Sequence, residues 1–273
     1  MDWLIEPFSY PFMQRALLAG ILAAVITALV GTWVVLRGLT FMGDALAHGV
    51  LPGIALGVVL GYDLTLGAAL SAAVMVAGIN LVHRRSRLNE DVGIGLLFVG
   101  MLAVGVVVIS RSRSYSGSLT DILFGNALAT SGSDILLLAA TLAVVGITTA
   151  VFYRAFLVLS FNDQKAEMLG LHPRLAHVVM LTLVTLAIVS SFQTVGTLLV
   201  FGLLVAPPAT ASLLARRVPA MMIVAGVVGA GAVAVGLLVS WHADTAASAT
   251  VAAVAVAFFF LVFGLRGIPE GSG

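Results

Sequence analysis

Long apolar runs dominate this chain, and their length fixes what it can fold into. Roughly 20 apolar residues carry one α-helix across the ~30 Å hydrocarbon core of a bilayer. Runs of that kind fall near 13–36, 44–60, 64–82, 92–110, 134–153, 175–191, 197–214, 219–240 and 245–265. The connections between them are short. Even the longest, 111–133 and 154–174, are too small to bury a core of their own. With 61% of its 273 residues hydrophobic and only 9% charged, the chain has no soluble surface to offer. The expected fold class is all-α: a polytopic membrane protein of about eight or nine transmembrane helices. Residues 1–273 are expected to form a single transmembrane domain.

The charges orient the spans. Arg37, Arg84, Arg85, Arg87, Arg154, Lys165, Arg174, Arg216, Arg217 and Arg266 fall on one side, against Arg15, Arg111 and Arg113 on the other. Cytosolic loops carry the excess of Lys and Arg, so the N-terminus is expected outside and the C-terminus inside. A formal net charge of +1 gives no ground for a nucleic-acid partner. The absence of cysteine excludes disulfides and thiolate metal sites. Asp2 and Glu6 stand where a secretory signal would be basic, so the first apolar run is expected to be retained.

Against this background, Gly43-Asp44-Ala45-Leu46-Ala47-His48 stands out. In a helix, Asp44 and His48 lie four residues apart on one face and can converge on one atom. Carboxylate and imidazole suit Mn²⁺, Fe²⁺ or Zn²⁺. Two readings of the pair remain open, a cation site and a structural pair in which the imidazole N–H bonds the carboxylate. Pro52 has no N–H for the residue 48 carbonyl, so the helix is expected to be distorted beside His48. Gly49, Gly53, Gly57 and Gly61 recur every fourth residue, a smooth ridge for close approach of another helix.

Three further stretches carry chemistry. Residues 159–173 read as a short amphipathic helix on the cytosolic side, with apolar Phe161, Met168, Leu169 and Leu171, charged Asp163, Lys165 and Glu167, and an end at Gly170 and Pro173. It suits docking of a soluble partner or a resting place on lipid head groups. In 192–211, Pro207 and Pro208 are expected to bend or interrupt a span, and Thr210 with the freed carbonyls either lines a pathway or sits in a kinked packing helix. Finally, His242 and Asp244 fall at the outer end of a span, as an ion entrance or as a plain solvated loop.

In this order, and over almost the whole chain, these stretches resemble the inner-membrane permease subunits of the zinc/manganese/iron class of ABC importers. Gly43-Asp44-x-x-x-His48 followed by Leu51-Pro52-Gly53 is the most specific part. The run from Val195-Gly196 through Leu204, Pro207 and Ala209-Thr210-Ala211 is similar to the family's late signature. Phe161 through Ala166 to Gly170 looks like its coupling helix, about 160–172, with Asn162 where aspartate is usual.

The resemblance implies a large-permease, type II importer-like transmembrane domain in the bacterial cytoplasmic (inner) membrane, working as a homodimer or paired permease. It implies a cytosolic ABC ATPase dimer and an extracytoplasmic metal-binding protein as partners, and lipid around the spans. Asp44 and His48 would form a transient transport site for Zn²⁺, Mn²⁺ or Fe²⁺, with no permanently bound cofactor. Phe161, Asp163, Lys165, Glu167 and Gly170 would couple to the ATPase. The chain has no G-x-x-x-x-G-K-[ST] loop, its one lysine being Lys165 after Gln164, so ATP hydrolysis is expected on a separate chain and this subunit is not itself an enzyme. Three other readings were weighed: a stand-alone secondary carrier for metal cations, an ABC permease for a metal chelate or siderophore, and an intramembrane hydrolase built on Ser118.

Overall fold

The computed structural model describes residues 6–85, 90–110, 130–161 and 173–266. A 3₁₀ turn at Glu6–Ser9 leads into ten helices: α1 (Pro11–Leu36), α2 (Thr40–Gly49), α3 (Leu51–Leu60), α4 (Leu64–Arg85), α5 (Glu90–Ser110), α6 (Gly132–Phe161), α7 (Pro173–Val195), α8 (Thr197–Leu214), α9 (Val218–Ala243) and α10 (Ala247–Arg266). Because α2 and α3 together make one crossing, these amount to nine candidate membrane spans among the described residues. The all-helical, nine-span expectation therefore holds.

Helix α1 is the hub, packing against α2, α6, α7, α8 and α9. Its sequence explains why. Ala16, Ala19, Gly20, Ala23, Ala24, Thr27, Ala28 and Gly31 form a stripe of small residues at helical spacing, all buried. Lipid tails are as apolar as leucine, so helices in a bilayer associate where small side chains let backbones approach. A Cβ at Gly31 would collide with the Leu204 carbonyl of α8, and one at Gly20 would reach Val233 of α9 at 2.5 Å. Thr27 and Thr32 turn their hydroxyls back onto the carbonyls of Ala23 and Ala28, each at 2.7 Å, which satisfies them inside the core.

The outer helices show the opposite pattern. Leu66, Leu70 and Val74 on α4, Leu96 and Val107 on α5, and Leu136 and Val151 on α6 are exposed, as lipid-facing side chains should be. Helix α6 runs on past the expected end near Tyr153 to Phe161. At 1.5 Å per residue its 30 residues extend about 45 Å, so the last turns continue beyond the ~30 Å core.

Pro207 and Pro208 do not interrupt α8, which is continuous from Thr197 to Leu214. The two missing N–H groups would have served the Leu203 and Leu204 carbonyls. The second of these is the carbonyl that faces Gly31, so the close α1–α8 contact occupies the place the proline leaves open. Thr210 is fully buried and donates its hydroxyl to the Ala206 carbonyl at 2.8 Å, which makes it a packing residue of its own helix.

Candidate functional site

The Asp44–His48 pair owes its position to an elbow. Helix α1 ends in a Schellman motif: the Gly38 N–H donates to the Val35 carbonyl and the Leu39 N–H to the Val34 carbonyl, both at 3.0 Å. Gly38 has φ +68°, in the left-handed region where a side chain is strained. The chain therefore turns back at once, and α2 begins at Thr40. Counting 1.5 Å per residue, Asp44 lies about 6 Å and His48 about 12 Å along a span of about 31 Å, both in the half that begins at the α1 elbow.

Within α2 the i, i+4 spacing works as expected. His48 Nε2 lies 3.4 Å from Asp44 Oδ1, with side-chain exposures of 29% and 28%. That separation is too long for a strong hydrogen bond. It matches two ligands bound to one divalent ion: donors about 2.0–2.2 Å from a metal at a tetrahedral angle lie about 3.4 Å apart. No group of three or more acidic, imidazole or thiol side chains that could hold a metal ion occurs among the described residues.

The imidazole is held by packing. Its ring meets Phe98 of α5 edge to face, with centroids 5.6 Å apart, and Phe98 meets Phe41 in the same way at 5.8 Å. Nδ1 of His48 is buried and finds no hydrogen-bond partner among the described residues. A histidine bound tightly to a metal ordinarily donates its second N–H to an acceptor, which fixes the ring and raises its basicity. Among the described residues, His48 has no such acceptor at Nδ1.

Behind the pair the helix breaks at Val50, as Pro52 requires. The Val50 N–H reaches the His48 carbonyl, while the Gly49 carbonyl accepts 2.8 Å from the Ser71 hydroxyl of α4. The glycine ridge serves α4: a Cβ at Gly53 would overlap the Gly67 carbonyl oxygen, and one at Gly49 would come within 3.0 Å of Met75. On the other side, Gly105 of α5 brings its backbone up to Pro52 and Leu51. The break is thus clamped between α4 and α5.

The other expected positions do not join this pair. His242 directs Nδ1 at the Leu238 carbonyl of its own helix at 2.8 Å, in an exposed last turn beside Trp241. Asp244 forms the left-handed cap of α9 with φ +50°. Phe161 is the last residue of α6, whereas Asp163, Lys165, Glu167 and Gly170 lie outside the described residues, as does Ser118.

Sequence reasoning missed Phe98, Ser71 and an Arg37–His177 contact. Only Ser71 left a local signal, four residues after Gly67 on the face that meets the glycine ridge.

Fold and pair together define a class: a multi-pass, all-helical membrane protein with an acid and an imidazole inside its second span. The chain belongs to the ABC 3 transport family, whose model matches residues 9–266. It is similar to the manganese transport system membrane protein MntC of Listeria monocytogenes, with 37% identity covering 93% of this chain and 90% of that one. It is equally similar, at 37%, to the chelated iron transport system membrane protein YfeD of Yersinia pestis, covering 93% and 85%. Among solved structures it resembles PsaBC from Streptococcus pneumoniae in complex with Fab, at 31% identity and a TM-score of 0.84, covering 96% of this chain and 94% of that one.

Proposed function

We propose that this chain is the membrane permease subunit of an ABC importer that takes up a divalent transition metal, Mn²⁺, Fe²⁺ or Zn²⁺, as its cargo. The observation that carries the reading is the Asp44–His48 pair, 3.4 Å apart and partly exposed within a span that is otherwise apolar. Ionisable side chains at membrane depth mark ion paths. Membership of the ABC 3 transport family, and relatives named for manganese and iron transport, support the same cargo.

In this mechanism the ion arrives from an extracytoplasmic binding protein and meets Asp44 Oδ1 and His48 Nε2 from one side. The pair of a second permease copy, water or backbone carbonyls complete its shell. Two ligands per copy hold the ion loosely, so it leaves inward when a cytosolic ATPase reshapes the cavity. The ATPase supplies the energy, since this chain has no phosphate-binding loop of its own.

Replacing Asp44 or His48 by Ala is expected to abolish metal uptake in cells while the variant still assembles with its ATPase. Normal uptake by both variants would overturn the assignment. Uptake that persists without any ATPase would indicate a stand-alone carrier instead.

A further inference from the structure

Arg37 and His177 form a polar bond between side chains of distant helices that the transport reading does not use. Arg37 directs Nη1 at Nδ1 of His177, 2.9 Å away across 140 residues of sequence. His177 is 6% exposed. Guanidinium nitrogens only donate, so Nδ1 of His177 carries the lone pair, and the ring is held in one tautomer and one orientation.

The location of this bond gives it a role. Arg37 is the C-cap of α1, and the next residue is the left-handed Gly38 of the elbow. Seven residues beyond Arg37 stands Asp44, and a further turn on, His48. On the other side, His177 lies in the second turn of α7. Helix α7 starts at Pro173, directly after the 160–172 stretch to which the sequence assigns partner coupling. Helix α7 also packs on α2 and α1, so close-packed apolar contacts accompany this bond. A charge-assisted hydrogen bond adds to them a link of defined length and direction between one atom of each helix end.

We propose that the Arg37–His177 bond is the joint that passes movement of the cytosolic end of α7 to the α1–α2 elbow and so to Asp44 and His48. Both are positioning residues, and neither touches the cargo. The proposal rests on the import reading and concerns how that site is driven.

The test uses the full complex, permease with ATPase and metal-loaded binding protein, in proteoliposomes, with Mn²⁺ uptake and ATP hydrolysis measured together. His177→Leu removes the acceptor and Arg37→Met removes the donor. Each is expected to lower Mn²⁺ taken up per ATP by about tenfold or more, the scale of a lost charge-assisted bond. The double variant should fall no further than either single one, because both remove the same interaction. In His177→Asn an amide oxygen replaces Nδ1 as acceptor, and coupling should return to within about twofold of the parent. A parent-like uptake-to-ATP ratio in His177→Leu, or losses that multiply in the double variant, would overturn the proposal. If the leucine and methionine variants fail to assemble, His177→Asn and Arg37→Lys decide: both retain a bonded pair, and tenfold uncoupling in both overturns it. Where the parent complex takes up Fe²⁺ or Zn²⁺ and not Mn²⁺, the same ratios are read with that ion; absence of uptake of all three by the parent would instead refute the import reading.

Discussion

The crossing of α3 with α4 at Gly53 gives the sharpest quantitative expectation. Placing a methyl group there, Gly53→Ala, sets a Cβ over the Gly67 carbonyl oxygen and 2.7 Å from Ser71 Cβ. Ordinary contact needs about 3.4 Å or more, so relieving the overlap with the carbonyl oxygen parts the two helices by about 1.5 Å. The Ser71 hydroxyl bond to the Gly49 carbonyl, 2.8 Å in the parent, would then stretch to about 4.3 Å, beyond hydrogen-bond reach. Overpacking of this kind costs about 1–3 kcal/mol. The lost bond adds about 1 kcal/mol. Alanine's better helix propensity offsets about 0.5–1 kcal/mol, leaving a net loss near 2 kcal/mol. The control is Gly146→Ala on α6, where no atom lies within 4 Å of the new methyl group; propensity alone should stabilise it by up to about 1 kcal/mol. Reversible SDS unfolding in mixed micelles, followed by circular dichroism, measures both. A Gly53→Ala protein as stable as the parent or as Gly146→Ala would refute the close-approach argument.

Three further expectations follow from single residues. Thr210→Val should leave metal uptake near the parent level, because among the described residues the hydroxyl serves only the Ala206 carbonyl; a large loss would place Thr210 on the pathway. At the outer α3–α4 turn, the Leu66 and Thr65 N–H groups hold the Asp63 carboxyl below the usual carboxylate range. Its stabilisation is therefore full above about pH 4 and lost as pH falls through the lowered value, so Asp63→Ala should melt below the parent at pH 7, with the gap closing as pH falls through that lowered value. Phe98→His brings a second imidazole, and so a third potential ligand, beside His48, whose ring now lies 5.6 Å away. Mn²⁺ binding should tighten about tenfold or more while turnover falls, and unchanged binding would show that Phe98 does not border the ion path.

What the sequence disclosed, and what it withheld, follows from the range over which each feature is encoded. Spans are local: an apolar run of membrane length reads directly as a helix, and the break at Val50 follows from one missing N–H at Pro52. The convergence of Asp44 and His48 needs only helical spacing. Beyond the bilayer the same reasoning weakens, because the apolar run that ends near Tyr153 marks the membrane boundary and says nothing about where helix α6 stops. Prolines 207 and 208 do not interrupt their helix, for a related reason. The cost of a missing N–H depends on what else approaches the freed carbonyl, and Gly31, on a helix far away in sequence, is invisible to a local reading. His48 with Phe98 and Arg37 with His177 are likewise meetings of distant helices that no period encodes.

The same distinction bears on how a transport site stays weak. A motif of two ligands says nothing about affinity, because affinity depends on what supports them. Here Nδ1 of His48 faces no acceptor, and its ring is steadied by an aromatic edge instead of a hydrogen bond. A carboxylate or carbonyl at that position would raise the basicity of Nε2 and hold the ion longer. Rigidity comes from elsewhere: the glycine-bedded α3–α4 contact, the Ser71 bond to the broken backbone, and the Schellman elbow at Gly38. On the proposed reading of the pair as a transport site, packing fixes its geometry while the unsupported imidazole keeps its binding strength low, which would separate selection of the ion from its retention. For a permease that must release what it receives, that separation is the useful property.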